Sequence, residues 1–351
     1  MIAASVPMSL LPTSSARDNL RHLRMAFGGL FGEDETRHRI GVWLPEDYDP
    51  RKRVLVMLHG LCSSPLIWNR LARCIAEDAA LHARFQVWNV LYQTNAPALV
   101  VRHRVQAYLD EAWARLDPLR DDAARNGMVV IGHSFGGVIA RLLCADSGTT
   151  VWDAAFTVPP DRMRGDARDI RSIREVFDFT AYPGITHAIF LGAPHRGSPK
   201  ATSMIGHVTR LLAGGRTPEI RTLRRVATAD PAAVRTQLLP TYRRGNVNSV
   251  TSLQEMQPVR IASESLLPRA GITYHTIAGV LPGRRPETDG TVPLDSATLA
   301  GSASTLLVQA GHHLYNDALA LEEVLRILRA MDRADAQPRP SGPLRNPALR
   351  S

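Results

Sequence analysis

Short apolar runs alternate with segments of helical period along most of the chain. The runs predict strands at 38–45, 53–61, 85–91, 128–131, 185–191, 271–280 and 304–311. In the segments between them, apolar residues recur every three or four positions, which predicts helices that start near Ile67 and cover about 98–116, about 136–146 and 318–331. Strands that alternate with helices indicate βαβ units.

The run Val54–Leu58 is apolar at every position, which is typical of a strand buried on both faces. We therefore predict an α/β fold: a mostly parallel, twisted sheet with helices on both faces. The alternation is interrupted at 149–182, where charged residues and Pro159-Pro160 occur.

The pattern divides the chain into three parts. Residues 1–37 form a loosely ordered lead-in, 38–331 one domain, and 332–351 a disordered tail without apolar periodicity. Within the domain, the irregular stretch of about 198–270 is too long for a simple connection, and we interpret it as a lid-like insertion. The lead-in lacks the basic start and long apolar core of a secretory signal, which favours a cytoplasmic protein. A processed or truncated export signal is the alternative.

Composition narrows the classes of function. With 351 residues and 44 % apolar content the chain can build a large core, yet its apolar runs are far shorter than the roughly 18 residues of a membrane-spanning helix. The net charge of +9 comes from arginines scattered over the whole length, with lysine only at Lys52 and Lys200. Diffuse positive charge is typical of a solvated surface, so we expect no nucleic-acid partner. Peripheral contact with lipid interfaces remains an open expectation.

The three cysteines are interpreted as small buried hydrophobic residues. They are Cys62, Cys74 and Cys144. Their spacing matches no metal site, and neither a Walker motif nor G-x-G-x-x-G occurs, so we expect no metal and no cofactor.

The motif Gly132-x-Ser134-x-Gly136 lies where an apolar strand meets an amphipathic helix. This pattern and context are typical of a nucleophile elbow, a tight turn that exposes a serine Oγ above the sheet. An ordinary glycine-rich strand–helix turn is the structural alternative. We predict Ser134 to be a nucleophile.

A serine nucleophile needs a histidine base and an acid that orients it, in the chain order Ser, acid, His. His312 follows the last predicted strand and is the preferred base, with His313 as the alternative. Asp289, in a tight loop before Gly290, is the preferred acid. The same loop also contains Glu287 and Asp295, the latter with helix capping as its structural interpretation.

The oxyanion of an acyl-transfer intermediate needs two N–H donors, which we assign to the backbones of Leu61 and Phe135. His59 and Gly60 are expected to shape the first of these loops. Leu61, Phe135, Trp68 and the lid-like insertion would form an apolar entrance that suits an uncharged acyl group. Candidate substrate-binding residues are His59, Gly60, Trp68 and His133.

With these motifs in place, residues 40 to 330 resemble the α/β-hydrolase superfamily, and within it the bacterial lipase/esterase-like branch. The resemblance is carried by HGL (59–61), GHSFGG (132–137), GAPHRGSP (192–199), TDGTVPLDSA (288–297) and GHH (311–313). It implies an α/β-hydrolase fold, Ser134 as nucleophile, Asp289 as acid and His312 as base. It also implies that the amides of Leu61 and Phe135 are oxyanion donors. Phe135 departs from the methionine or leucine common in relatives, and His195 is expected to be structural, bonding its own turn.

The sequence therefore predicts a serine hydrolase that cleaves a small-molecule ester or lipid through an acyl-enzyme. The alternatives are an acyltransferase or amidase that uses the same three residues, and a non-catalytic binding protein that retains the fold. Acyl-chain length and oligomeric state are not specified by the sequence.

Overall fold

The computed structural model describes residues 40–198, 217–245, 247, 253 and 256–335. Seven strands form one sheet in the order β1-β3-β2-β4-β5-β6-β7, in which only β1 is antiparallel to its neighbour. The predicted mostly parallel α/β architecture is thereby confirmed. The strands are β1 (Gly41–Trp43), β2 (Arg53–Leu58), β3 (Phe85–Leu91), β4 (Met128–His133), β5 (Ile185–Leu191), β6 (Thr273–Gly279) and β7 (Ser304–Val308).

Helices connect the strands and cover both faces of the sheet. Within the described residues they are α1 (Asn69–Glu77), α2 (Ala79–His82), α3 (Ala98–Leu116), α4 (Phe135–Leu143), α5 (Thr150–Ala155), α6 (Ala167–Phe177), α7 (Pro218–Ala229), α8 (Leu239–Arg244), α9 (Pro258–Glu264), α10 (Leu294–Ala297) and α11 (Ala318–Asp335). None of the helices in this part of the chain combines the length and apolar character needed to cross a bilayer.

Alternate residues of the central strands feed two separate cores. In β2, Val54, Val56 and Leu58 belong to the core shared with α3, α4, α5 and α6, whereas Leu55 and Met57 belong to the core shared with α1 and α11. All five side chains have 0 % exposure. Burial on both sides explains why this strand is apolar at every position instead of every second one.

A layer of helices covers the first of these cores outside α4. Its helices α7, α8 and α9 come from the segment predicted as a lid-like insertion, which remains a prediction, since residues 199–216 and several near 250 lie outside the described part. Helices α5 and α6 also belong to this layer, since α5 packs against α9 and α6 against α7. Neither α5 nor α6 is predicted from the sequence, where 149–182 interrupts the alternation of strands and helices. The predicted lead-in and most of the predicted tail also fall outside the described residues.

Candidate active site

The candidate site lies at the carboxyl edge of the sheet, where the strand order reverses. After β2 the chain continues to β3 on one side and then to β4 on the other, which leaves a crevice at the ends of β2 and β4. Ligand sites of open α/β sheets occur in such crevices. Leu61 lies in the loop after β2 and Ser134 immediately after β4, so both predicted positions are at this crevice.

Ser134 occupies a strained turn between β4 and α4. Its φ of 54° and ψ of −123° are rare for a residue with a side chain. Its N–H donates to the carbonyl of Leu191 at 2.9 Å, which ties the turn to the end of β5. The elements packed around the turn hold this strained conformation.

The small residues around Ser134 allow this close packing. A Cβ atom at Gly132 would lie 2.4 Å from the carbonyl oxygen of Gly136, and one at Gly136 would lie 2.3 Å from the carbonyl oxygen of Leu58. A Cβ at Gly137 would lie 2.4 Å from the Cβ of Ala193. Larger residues at these positions would push α4 away from β2 and β5. The close packing of these elements therefore requires glycine at the three positions.

Three side chains from separate loops form a hydrogen-bonded chain at the site. Ser134 Oγ lies 2.8 Å from Nε2 of His312, and Nδ1 of His312 lies 2.7 Å from Oδ2 of Asp289. Because an ionised carboxylate only accepts hydrogen bonds, Nδ1 of His312 carries the proton and Nε2 is free to accept from the hydroxyl. This is the arrangement that a general base for Ser134 requires.

Backbone amides hold the Asp289 carboxylate in place. Its Oδ1 accepts from the N–H groups of Thr291 at 2.8 Å and Val292 at 2.7 Å, and the residue is 3 % exposed. Oδ2 is thereby directed to His312.

The alternative acids and base occupy other positions. Asp295 lies in the first turn of α10, where its Oδ1 accepts the N–H of Ser296 at 2.8 Å; the N-cap position of this helix is Pro293, so the expected capping role of Asp295 is not observed. Glu287 ion-pairs with Arg285 at 3.2 Å, and His313 is exposed next to His312. The structure thus brings Ser134, His312 and Asp289 together and leaves these three residues outside the hydrogen-bonded chain.

Two residues beside the hydrogen-bonded Ser134, His312 and Asp289 have structural roles that the sequence did not indicate. Gly192, the first residue after β5, has a φ of 53°, and a Cβ there would lie 3.3 Å from Oδ2 of Asp289 and 3.5 Å from Nδ1 of His312. His133, predicted to bind substrate, instead donates from Nε2 to the carbonyl oxygen of His312 at 2.8 Å. The residue is 4 % exposed, and burial lowers the pKa of His133 well below its usual value. The His133 ring is therefore neutral, and its hydrogen bond to the backbone of His312 helps to position that residue.

The loop after β2 passes directly beside Ser134. A Cβ at Gly60 would lie 3.1 Å from the Cβ of Ser134, so only glycine permits this approach without displacement. The N–H groups of Leu61 and Phe135 donate to no acceptor within the described part of the chain. The next residue, Cys62, has a φ of 57°, and its N–H donates to Oγ1 of Thr94 at 3.2 Å, which fixes the loop to the one after β3.

Two predicted substrate contacts are corrected by the structure. Trp68 is 1 % exposed and packs with Leu71 and Phe85 in the core shared with α1 and α11, because the short helix that carries it turns this face inward. The His59 ring is fully buried and stacked on Tyr92, with ring centroids 4.2 Å apart. Trp68 is therefore a core residue, and His59 supports the loop instead of touching a ligand.

The free energy of unfolding is expected to decrease steeply as the pH falls from 7 to 5. Burial lowers the pKa of His59 to about 4, and it lowers the pKa of His133 and of His195 well below the usual range. In the unfolded chain these groups titrate near pH ~6.5, so below that pH the unfolded state binds more protons and the folded state loses stability. Each group contributes a slope of up to about 1.4 kcal/mol per pH unit. Urea unfolding at pH 7, 6 and 5 measures this slope, and equal stability at pH 7 and 5 would contradict the assignment of neutral buried imidazoles.

Among the described residues, one group of potential metal ligands has donor atoms within 4.8 Å of one another: Asp117, Asp121 and Asp122. It lies after α3, at the amino end of β4 and so at the edge of the sheet opposite to Ser134. Asp117 ion-pairs with Arg125, and Asp122 accepts the hydroxyl of Tyr48 at 2.6 Å. These partners account for the cluster.

Comparison with known proteins finds distant matches among solved structures. No family model and no curated protein sequence matches the chain. A lipase of Bacillus licheniformis in its mature form is 17 % identical, with a TM-score of 0.47 over 82 % of this chain and 97 % of that one. An esterase of a Rhodococcus species is 13 % identical, with a TM-score of 0.40 over 82 % and 94 %. An esterase of Thermogutta terrifontis with butyrate bound is 13 % identical, with a TM-score of 0.40 over 86 % and 90 %. Similarity at this level does not determine a reaction or a substrate, because one fold hosts many chemistries.

Proposed function

We propose that this chain, which has the α/β-hydrolase fold, is a serine hydrolase that cleaves carboxylic esters through an acyl-enzyme on Ser134. The observation that carries the proposal is the hydrogen-bonded chain from Ser134 Oγ through His312 to Asp289, with distances of 2.8 and 2.7 Å. A serine that is merely structural needs neither an imidazole acceptor nor a buried carboxylate behind it.

In the proposed reaction, Oγ of Ser134 attacks the ester carbonyl while Nε2 of His312 takes the hydroxyl proton. The same proton passes from His312 to the departing alcohol, and the acyl group remains on Ser134. A water then gives its proton to His312 and attacks the acyl-enzyme, which releases the acid and returns the proton to Ser134. Asp289 keeps the imidazole in the required tautomer and stabilises its charged form.

The oxyanion formed in each step is assigned to the N–H groups of Leu61 and Phe135. Support comes from their positions in the loop beside Ser134 and at the first residue of α4, and from the lack of an acceptor within the described residues. A helix N-terminus adds favourable electrostatics for a developing negative charge. One such donor is typically worth about 3 kcal/mol of transition-state stabilisation.

Labelling with a fluorophosphonate probe tests the nucleophile, and p-nitrophenyl esters from acetate to dodecanoate test the reaction. We expect one probe per chain on the peptide that contains Ser134, and ester hydrolysis that the label abolishes. If the protein neither reacts with the probe nor hydrolyses the esters, the proposed hydrolase is excluded. The alternative of a binding protein that retains the fold would then apply. Adding alcohol or amine acceptors separates hydrolysis from acyl transfer, because a transferase would form the acylated acceptor as its main product.

A further inference from the structure

A cavity that opens to solvent lies between α4 and the layer of helices outside it. Helix α4 contributes Val138, Arg141 and Leu142 to its wall, and the loop after β5 contributes His195. Most of the remaining wall is apolar and comes from α3, α6, α7 and α9, with Leu99, Ile173, Val176, Phe177, Ile220, Leu223 and Val259 among its residues. Such walls accommodate an apolar molecule.

Arg141 brings unpaired donors into this apolar wall. The residue has 0 % exposure, and its Nη1 donates to the carbonyl oxygens of Ser263 at 2.6 Å and Leu266 at 2.7 Å. Nε and Nη2 are buried and have no hydrogen-bond partner in the described part of the chain. A guanidinium has five N–H groups, so three of them are left without an acceptor, at a cost of about 1–3 kcal/mol for each unsatisfied group.

His195 adds a second polar group that lacks partners. It is 3 % exposed, and within the described residues neither ring nitrogen forms a hydrogen bond, although the sequence analysis expected the side chain to bond its own turn. Within this turn it is the backbone N–H of His195 that donates, to the carbonyl of Ala193 at 2.9 Å, and it also lies 3.0 Å from the carbonyl of Ser296 in α10. Burial, together with the charge of Arg141, lowers the pKa of His195 well below its usual value. The ring is therefore neutral and offers one donor and one acceptor.

Among the described residues, Arg141 is the cation of the cavity wall that no carboxylate contacts; Glu264, which pairs with Arg260, attracts it only from beyond ion-pair distance. Arg104 pairs with Glu219 at 2.8 Å, and Arg260 pairs with Glu264. No carboxylate within the described residues forms an ion pair with Arg141. Burial lowers the pKa of Arg141 only to about 10, so it remains charged at neutral pH. A buried charge without a partner is strongly unfavourable, and a single negative charge would balance it.

We propose that this cavity binds a monocarboxylate with an apolar body, whose carboxylate accepts from the free N–H groups of Arg141 and from the ring of His195. The planar fork of a guanidinium matches a carboxylate, and the single unpaired cation matches one negative charge better than the two of a phosphate monoester. Arg141 follows Ser134 by seven positions, about 10 Å along the helix axis. The site is therefore separate from the reacting atoms.

Calorimetric titration of the protein with octanoate and with octanamide, its uncharged counterpart, tests this site. We expect octanoate to bind at least about tenfold more tightly, which corresponds to ~1.4 kcal/mol. R141Q should reduce the preference to less than about twofold. R102Q is the matched control, because Arg102 is also a buried arginine with an unpartnered Nε but lies outside the cavity wall. It should leave the preference unchanged.

Equal affinity for the two probes, or binding of neither, would overturn the proposal and indicate that solvent satisfies these donors. A loss of preference in R102Q as large as in R141Q would also overturn it. If R141Q does not fold, L223W decides the location, since an indole from α7 would fill the cavity: octanoate binding that survives in folded L223W lies elsewhere. None of these outcomes depends on fluorophosphonate labelling of Ser134, so failure here is distinguishable from failure of the proposed ester hydrolysis.

Discussion

Replacing Ser134 by alanine is expected to lower kcat/KM for a short p-nitrophenyl ester by about 10^4- to 10^6-fold. The substitution removes the only atom that forms the acyl bond in the proposed mechanism and leaves the remaining donors in place. The residual rate would come from binding and from the N–H groups of Leu61 and Phe135. Initial rates over a range of ester concentrations, with circular dichroism to verify the fold, provide the measurement.

Ser64 offers the matched control for this substitution. It is a buried serine, 7 % exposed, in the loop after β2, and its hydroxyl forms no hydrogen bond within the described residues. S64A should retain kcat/KM within about threefold, because no step of the reaction uses its hydroxyl. Hydrolysis by S134A at the wild-type rate would reject Ser134 as the nucleophile, whatever the behaviour of S64A.

The sheet could be predicted from the sequence because its strands are buried on both faces and are therefore continuously apolar. The same criterion fails for α6, since five of its eleven residues are charged. Its buried residues Ile170, Ile173 and Val176 do recur at helical spacing, and Asp166 caps the helix by accepting from two backbone N–H groups. The signal was present, but Pro159-Pro160 and the charges nearby dominated the interpretation.

The candidate site was predictable as far as chain order and strand ends specify it. A histidine after the last strand and an aspartate after the preceding one can both reach the end of β4, which is why His312 and Asp289 were preferred. Chain order does not specify which face of the sheet a side chain covers. The sequence shows that Trp68 is apolar and near Leu61 but not which face it covers, and only the fold reveals that Gly192 leaves room for Asp289 and His312.

The second large effect on activity is expected at Asp289, which was preferred over Asp295 as the acid. D289N is expected to lower kcat by about 10^2- to 10^4-fold near neutral pH, with a small change in KM. The amide side chain that this substitution introduces can keep its carbonyl oxygen on the N–H groups of Thr291 and Val292, because both donate to Oδ1 of Asp289 in the native protein. Its NH₂ group would then face Nδ1 of His312.

An NH₂ group facing Nδ1 reverses the tautomer of His312. Nδ1 must accept, so the proton moves to Nε2, and the imidazole can no longer take the proton of Ser134. D295N is the matched control, since Asp295 lies six residues further on and, within the described residues, its carboxylate accepts from Ser296 alone; it should retain the wild-type kcat. A large loss of kcat in D295N, with little change of kcat in D289N, would assign the role of the acid to Asp295 instead of Asp289. A loss of kcat in D289N, with binding of the ester preserved, is the result that only an acid acting through His312 explains, because a merely structural aspartate would lower stability and not the proton transfer.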